Sequence, residues 1–314
     1  MGEAKRKLAG EREARGDDED ASDGEPLVAL DLDRERLAGS EQGRRGWLRE
    51  GRRQLDEQRE QRGRPIARSG SERLRESERR LREEHRVELE SNAAYEAYRA
   101  RGVMREGRRF GRPADPHTPP AEPTGTINTT DHDSRIVRTQ GQPAIQGYNA
   151  QAAVNEEQII IAAELTVDPP DVGHLEPMVV ASVGELQNAG VAELPRTVVA
   201  DPGYWHKQQM ENVVGRGIQV VIPPDSGLRK GARPGWDKGL YAFTRRVLST
   251  EHGQAVYRRR LATVEPVFGQ TKFNRRLGRF LRRGRAACRS EWRLIAATHN
   301  LLKLHNHRIA TAAA

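Results

Sequence analysis

Apolar positions along the chain follow two regimes that meet near residue 125. From Met1 to about Arg109, large apolar side chains are sparse among Arg, Glu and small residues. "RRGWLREGRRQLDEQREQRGRP" and "SERLRESERRLREEHRVELESNAAYEAYRARG" both read as helices. In the second, Leu74, Leu81 and Val87 mark a narrow stripe among (i, i+4) Glu and Arg pairs, the pattern of an exposed helical hairpin. The acidic, Gly- and Ser-containing "GDDEDASDGEP" reads as a flexible loop. From Phe110 to Gly125, five prolines exclude helix and central strand, so this stretch reads as a spacer.

Beyond it the period changes. "AIQGYNAQAAV" and "QIIIAAELTV" are β-like runs joined by the turn-prone Asn155-Glu156-Glu157, which predicts a hairpin. "HLEPMVVASVGELQNAG" carries Leu175, Met178, Val179, Val183 and Leu186 at helical spacing, with Gly190 as a stop. "TVVAD" then reads as a short buried strand, "HKQQMENVVGRG" as a helix and "IQVVIPP" as another buried strand. Strands alternating with helices argue for an α/β sheet whose later strands are parallel and covered on both faces.

Composition narrows what such a chain can do. The 314 residues carry 53 Lys and Arg against 45 Asp and Glu, a net charge of +8, with the excess mostly Arg, the residue best suited to phosphate. A polyanionic partner is expected. One cysteine, Cys288, excludes a disulfide framework, and no apolar run approaches a membrane span. "MGEAKRKLAG" lacks the apolar core of a secretory signal, so the expected location is cytoplasmic.

Two carboxylates stand out. Asp201, in "RTVVADPGYW", ends a buried strand, where open α/β sheets place ligand and catalytic groups; capping of the following helix is the competing role. Glu265 lies between Val264 and Pro266-Val267-Phe268, with Arg258 and Lys272 each seven residues away and so on one face of a continuous helix. Pro266 predicts a kink or helix start at Glu265. From Lys272 to Arg293, nine Lys or Arg face one Glu, interleaved with Phe273, Leu277, Phe280, Leu281 and Trp292, which reads as a phosphate-binding stripe that must also pack.

"ADPGYW", "YRRRLATVEPVFGQTKFNRR" and "EWRLIAATHNLLKLH" together resemble the DDE-class transposases of bacterial insertion sequences, in the group whose RNase H-like domain is split by a long helical insertion. "NTTDHDSRIVRT", "IQGYNAQAAV", "IIIAAELT" and the Arg/Glu-rich helices from about Gly43 extend the resemblance over most of the chain. It implies an α/β fold with an RNase H-like mixed sheet and helices on both faces. It divides the chain into an insertion at 1–109, a linker at 110–125 and a catalytic part at 126–314. It implies DNA strand cleavage and strand transfer, with DNA ends and target DNA as partners, a homodimer as one assembly, and a nucleoid-associated location. Asp201 then corresponds to the second catalytic aspartate and Glu265 to the catalytic glutamate, both holding metal. Tyr257, Arg260 and Lys272 correspond to the accompanying signature, with the arginine-to-glutamate spacing one longer than its commonest form. Arg275, Arg276, Arg279, Arg282 and Arg283 join Lys272 in holding DNA. The implied cofactor is a pair of Mg²⁺ (or Mn²⁺) ions roughly 3.5–4 Å apart, which activate the attacking oxygen and stabilise the leaving one.

The family's first aspartate, in an Asp-Gly-Thr motif on the first strand, has no match before Thr126. Asp31 and Asp33 in "VALDLD" are the candidate replacements. The reading adopted is that the chain begins within the insertion, lacks that strand, and is inactive alone. The competing reading is a non-catalytic DNA-binding or regulatory transposase remnant. The two differ on whether a third acid reaches Asp201 and Glu265. Asp131 and Asp133 are expected in a strand-entry turn with Asx hydrogen bonds rather than on a metal. His132 and His174 read as ordinary polar residues, Tyr204 and Trp205 as packing at a strand-helix corner, and Cys288 is assigned no role.

Overall fold

The computed structural model describes residues 30–39, 43–63, 67, 69–105, 108–110, 115–137, 143–225 and 238–312. The acidic loop at 16–26 lies outside them. The chain forms two compact units, 1–135 and 136–314. The fold class is mixed α/β, and among the described residues the strands pair two by two.

The first unit is helical: α1 (Arg34–Gly39), α2 (Arg44–Arg62) and α3 (Gly70–Arg101). Ser69 and Glu72 start α3 with reciprocal bonds, Glu72 N–H to Ser69 Oγ and Ser69 N–H to Glu72 Oε2, both 3.1 Å, satisfying two of the donors every helix start leaves free. Leu37, Leu55, Val87 and Trp47 are buried, and Trp47 meets Tyr95 and Tyr98 edge-on at 5.3 and 5.0 Å. The sparse stripe thus builds a small core of its own. Its rim is ionic: Arg59 pairs with Glu83 at 2.9 Å, Arg80 with Glu76 and Asp133, and Arg135 with Glu84. Residues 115–125, read above as a spacer, run along α3, where Tyr95 Oη donates to Asp115 O (2.8 Å) and Asn92 Nδ2 to His117 O (3.2 Å). A short antiparallel hairpin follows α3, β1 (Val103–Arg105) with β2 (Arg108–Phe110). At the unit boundary β3 (Arg135–Val137) pairs with β4 (Ile145–Gly147). The turn entering β3 is organised by Asn128, whose Oδ1 accepts from Thr130 N–H and Asp131 N–H, while Asp133 pairs with Arg80. His132 Nε2 donates to Arg73 O at 2.9 Å.

In the second unit β5 (Asn149–Val154) and β6 (Ile160–Thr166) form the expected antiparallel hairpin, Asn149 opposite Thr166. Its turn is held by Asn155 Oδ1, which accepts from Glu157 N–H and Ile159 N–H. Then come α4 (Leu175–Asn188), β7 (Thr197–Val199), a 3-10 turn (Pro202–Tyr204), α5 (Lys207–Gly215) and β8 (Gln219–Val221). β7 and β8 are parallel, as the alternation requires. Their core gathers Leu175, Val179, Met210, Val213, Ile218 and Ile222, against which Tyr204 and Trp205 pack at the corner. Helices α6 (Gly239–Ser249), α7 (Glu251–Gly269) and α8 (Arg285–Ala312) complete the unit, with a π turn at Gln270–Asn274. From α8, Trp292 Nε1 donates to Gln151 O (2.9 Å), and Asn300 bonds both backbone groups of Ile160.

Of the two outcomes expected at Glu265, a helix start is not seen: α7 continues through Pro266 to Gly269. Proline removes the N–H that would serve Ala262 O, and Gln158 Nε2 supplies the missing donor at 2.8 Å. The hairpin turn thus stabilises a proline inside a helix.

Candidate functional site

Asp201 follows β7 with extended backbone angles and begins the 3-10 turn without any capping bond from its side chain. Of its two candidate roles, the cap is therefore unused. Its carboxylate instead meets Arg260 of α7, Nη1 to Oδ1 at 2.9 Å, while Arg260 Nη2 lies 3.7 Å from Glu265 Oε1. Two acids separated by 63 residues of sequence thus share one guanidinium. Arg260 is well covered, its side chain 16% exposed, whereas Asp201 and Glu265 are about half open at 49% and 58%. The Tyr257 ring lies beneath Arg260, 5.6 Å from its Cζ, and Arg260 Nε is buried without a hydrogen-bond partner among the described residues. Burial, reinforced by the Asp201 charge and opposed by Arg260, raises the Tyr257 hydroxyl's pKa.

A third carboxylate that sequence reasoning passed over approaches the same turn. Asp171 Oδ1 accepts from Asn149 Nδ2 and Gln151 Nε2, both 2.9 Å. A Cβ on Gly203 would lie 3.2 Å from Asp171 Oδ2, so this close approach favours glycine. Tyr204 Oη donates to Gln151, and burial together with the Asp171 and Asp201 charges raises its pKa. The available signal was "DPPDVG", an acid in a proline-rich turn after a strand, as at "ADPGYW". Among the described residues no group of three His, Cys, Asp or Glu is arranged to hold a metal ion. Asp33 lies in the first unit, where its carboxylate caps α1 by accepting from Glu35 N–H (2.9 Å) and Arg36 N–H (3.1 Å). Residues 30–33 form no strand, so the alternative of a catalytic strand ending at Asp31 or Asp33 has no support there.

The basic stretch divides in two. Lys272 lies over the Phe268 ring at 5.4 Å with its side chain exposed. Arg276, Arg279, Arg282 and Arg283 are exposed, and no acidic partner meets their guanidinium groups among the described residues. Arg275 turns inward, donating to Ile295 O (3.2 Å) and Thr298 Oγ1 (2.6 Å). Arg289 and Arg293 pair with Glu164. Cys288 is buried, its Sγ 3.1 Å from Arg282 O.

These features define a mixed α/β unit with two helix- and strand-borne acids around a shared cation, beside an exposed basic segment. Residues 233–305, which hold Tyr257, Arg260, Glu265 and the basic segment, match the family model of the transposase DDE domain, and this match supports a DDE-class transposase. No curated protein and no solved structure shows significant similarity to the chain. No helix among the described residues is long and apolar enough to cross a membrane.

Proposed function

We propose that the chain serves DNA transposition by metal-dependent strand cleavage and strand transfer, through an RNase H-like arrangement in which Asp201 and Glu265 are the acidic pair. The observation that carries this reading is the convergence of both carboxylates on Arg260, with Arg260 and Glu265 inside the stretch that matches the transposase DDE domain. Both acids offer hard oxygen donors and are open to solvent, which suits Mg²⁺ or Mn²⁺. Bound divalent ions would supply activation of the attacking oxygen and stabilisation of the leaving one. Two such ions need further ligands, which the described residues do not group around this pair. Arg260 offsets part of the repulsion between the two acids while they stand together. Lys272, Arg276, Arg279, Arg282 and Arg283 hold the DNA backbone.

The test is nicking of supercoiled DNA with Mg²⁺ or Mn²⁺. Cleavage should require the metal and fall to background in Asp201→Asn and in Glu265→Gln, while DNA binding persists. Cleavage surviving either substitution would remove the catalytic assignment.

A further inference from the structure

The two most exposed large apolar side chains among the described residues are Phe273 and Leu281, at 80% and 78% exposure. Both lie in the basic segment between α7 and α8. The backbone that presents them is anchored. Arg275 N–H donates to Gln270 O and Leu277 N–H to Thr271 O, each at 3.0 Å, and Thr271 is buried. Leu281 N–H and Arg282 N–H both donate to the Glu291 carboxylate, at 2.9 and 3.0 Å. Phe280 turns inward against Tyr148 at 6.3 Å. Arg276 holds a left-handed backbone, φ 56°, unusual for a residue with a side chain. The segment therefore holds a defined shape, with one phenylalanine packed and its near neighbour Phe273 left in water.

Five exposed cations, Lys272, Arg276, Arg279, Arg282 and Arg283, flank these apolar groups in the same short segment. A neutral apolar partner would have to strip water from all five, whereas a polyanion receives them directly. In intact duplex DNA the base faces are covered by stacking, so phosphates alone leave Phe273 unused. A base that has left the stack offers both a flat apolar face and adjacent phosphates. We infer that Phe273 is a stacking platform for an unstacked base of bound DNA, with Leu281 filling the opened step. This rests on the DNA reading of the same surface and adds to it a preference for DNA that is frayed or unpaired where the segment sits.

The full 314-residue chain is titrated with a fully paired duplex and with the same duplex ending in an unpaired 2-aminopurine. The frayed duplex should bind about tenfold tighter, the effect of one base stacked on an aromatic ring, with quenching of the probe's fluorescence. Phe273→Ala should remove both the preference and the quenching yet leave affinity for the paired duplex unchanged; Phe273→Trp should retain both. Preference and quenching that persist in Phe273→Ala overturn the inference. Salt-dependent binding of both duplexes with equal affinity also overturns it while leaving the DNA reading intact. Binding to neither duplex, but to phosphatidylserine vesicles in a Phe273-dependent way, overturns both readings in favour of a membrane surface.

Discussion

Arg260 shows how a single side chain can gather a site without adding much to stability. Its partners Asp201 and Glu265 are about half exposed, and ion pairs of that kind contribute only about 0–1 kcal/mol. Asp201→Asn should therefore leave the thermal midpoint nearly unchanged, and scanning calorimetry of that variant beside the nicking assay separates lost chemistry from lost folding. A fall of many degrees would mean that the carboxylate holds the fold instead. Gln158 serves the carbonyl that Pro266 leaves unpaired, but the bond is exposed and water replaces a lost donor there, so Gln158→Ala should cost only about 0.5–1 kcal/mol. In a Pro266→Ala background the helix supplies its own N–H, so the same substitution should cost less. Denaturant titration of the four proteins of this cycle reads the difference, and strict additivity would break the link between the two residues.

At the scale of elements, periodicity made most of the fold legible. The hairpin of β5 and β6, the helices α4 and α5, and the parallel pair β7 and β8 all lie where apolar spacing put them. The continuation of α7 through Pro266 was not legible, because the side chain that meets Ala262 O, Gln158, lies more than a hundred residues earlier in the chain. Nor was the close packing of α2 on α3. A Cβ on Gly51 would come within 2.6 Å of Ser91 Oγ and 2.8 Å of Val87 Cγ1, so Gly51→Ala should destabilise the first unit by about 1–3 kcal/mol despite alanine's better helix propensity. Burial opposes the charge on Glu76, but hydrogen bonds from Arg79 and Arg80 outweigh it and hold its pKa at about 2, below the ordinary 4.5. Glu84 is lowered as well, burial being outweighed by Arg135 and Arg59. Groups with depressed folded pKa stabilise fully above their unfolded value and lose that contribution as pH falls toward the folded one. Helicity followed by circular dichroism should therefore fade progressively from about pH 4.5 toward pH 2, and Glu76→Gln should flatten that decline. An identical acid profile would assign the sensitivity elsewhere.

Across the whole molecule the charge of +8 is not evenly available. In the first unit Arg59, Arg79, Arg80 and Arg135 are matched to acids, and in the second Arg289 and Arg293 share Glu164 while Arg275 serves α8. Sequence identified a basic stripe from Lys272 to Arg293 but could not separate its structural arginines from its open ones, because that depends on acceptors such as Glu164 and Ile295 O from other elements. The convergence of Asp201 and Glu265 was legible through motif order; Asp171 was missed because its neighbours Asn149, Gln151 and Gly203 meet it only in the fold. The division of the stripe yields a paired prediction. Each phosphate that is no longer neutralised should flatten the slope of log K against log salt by about 0.9, so replacing Arg276, Arg279, Arg282 and Arg283 together with alanine should flatten it by up to about 3.6 and leave the thermal midpoint near that of the parent. Arg289→Ala with Arg293→Ala should do the reverse, lowering the midpoint because Glu164 is deprived of the partners that offset its burial, with the slope retained. Equal flattening in both variants would mean that the Glu164-bound arginines leave their partner to reach DNA, and that the exposed segment is not the separate DNA-facing surface its geometry suggests.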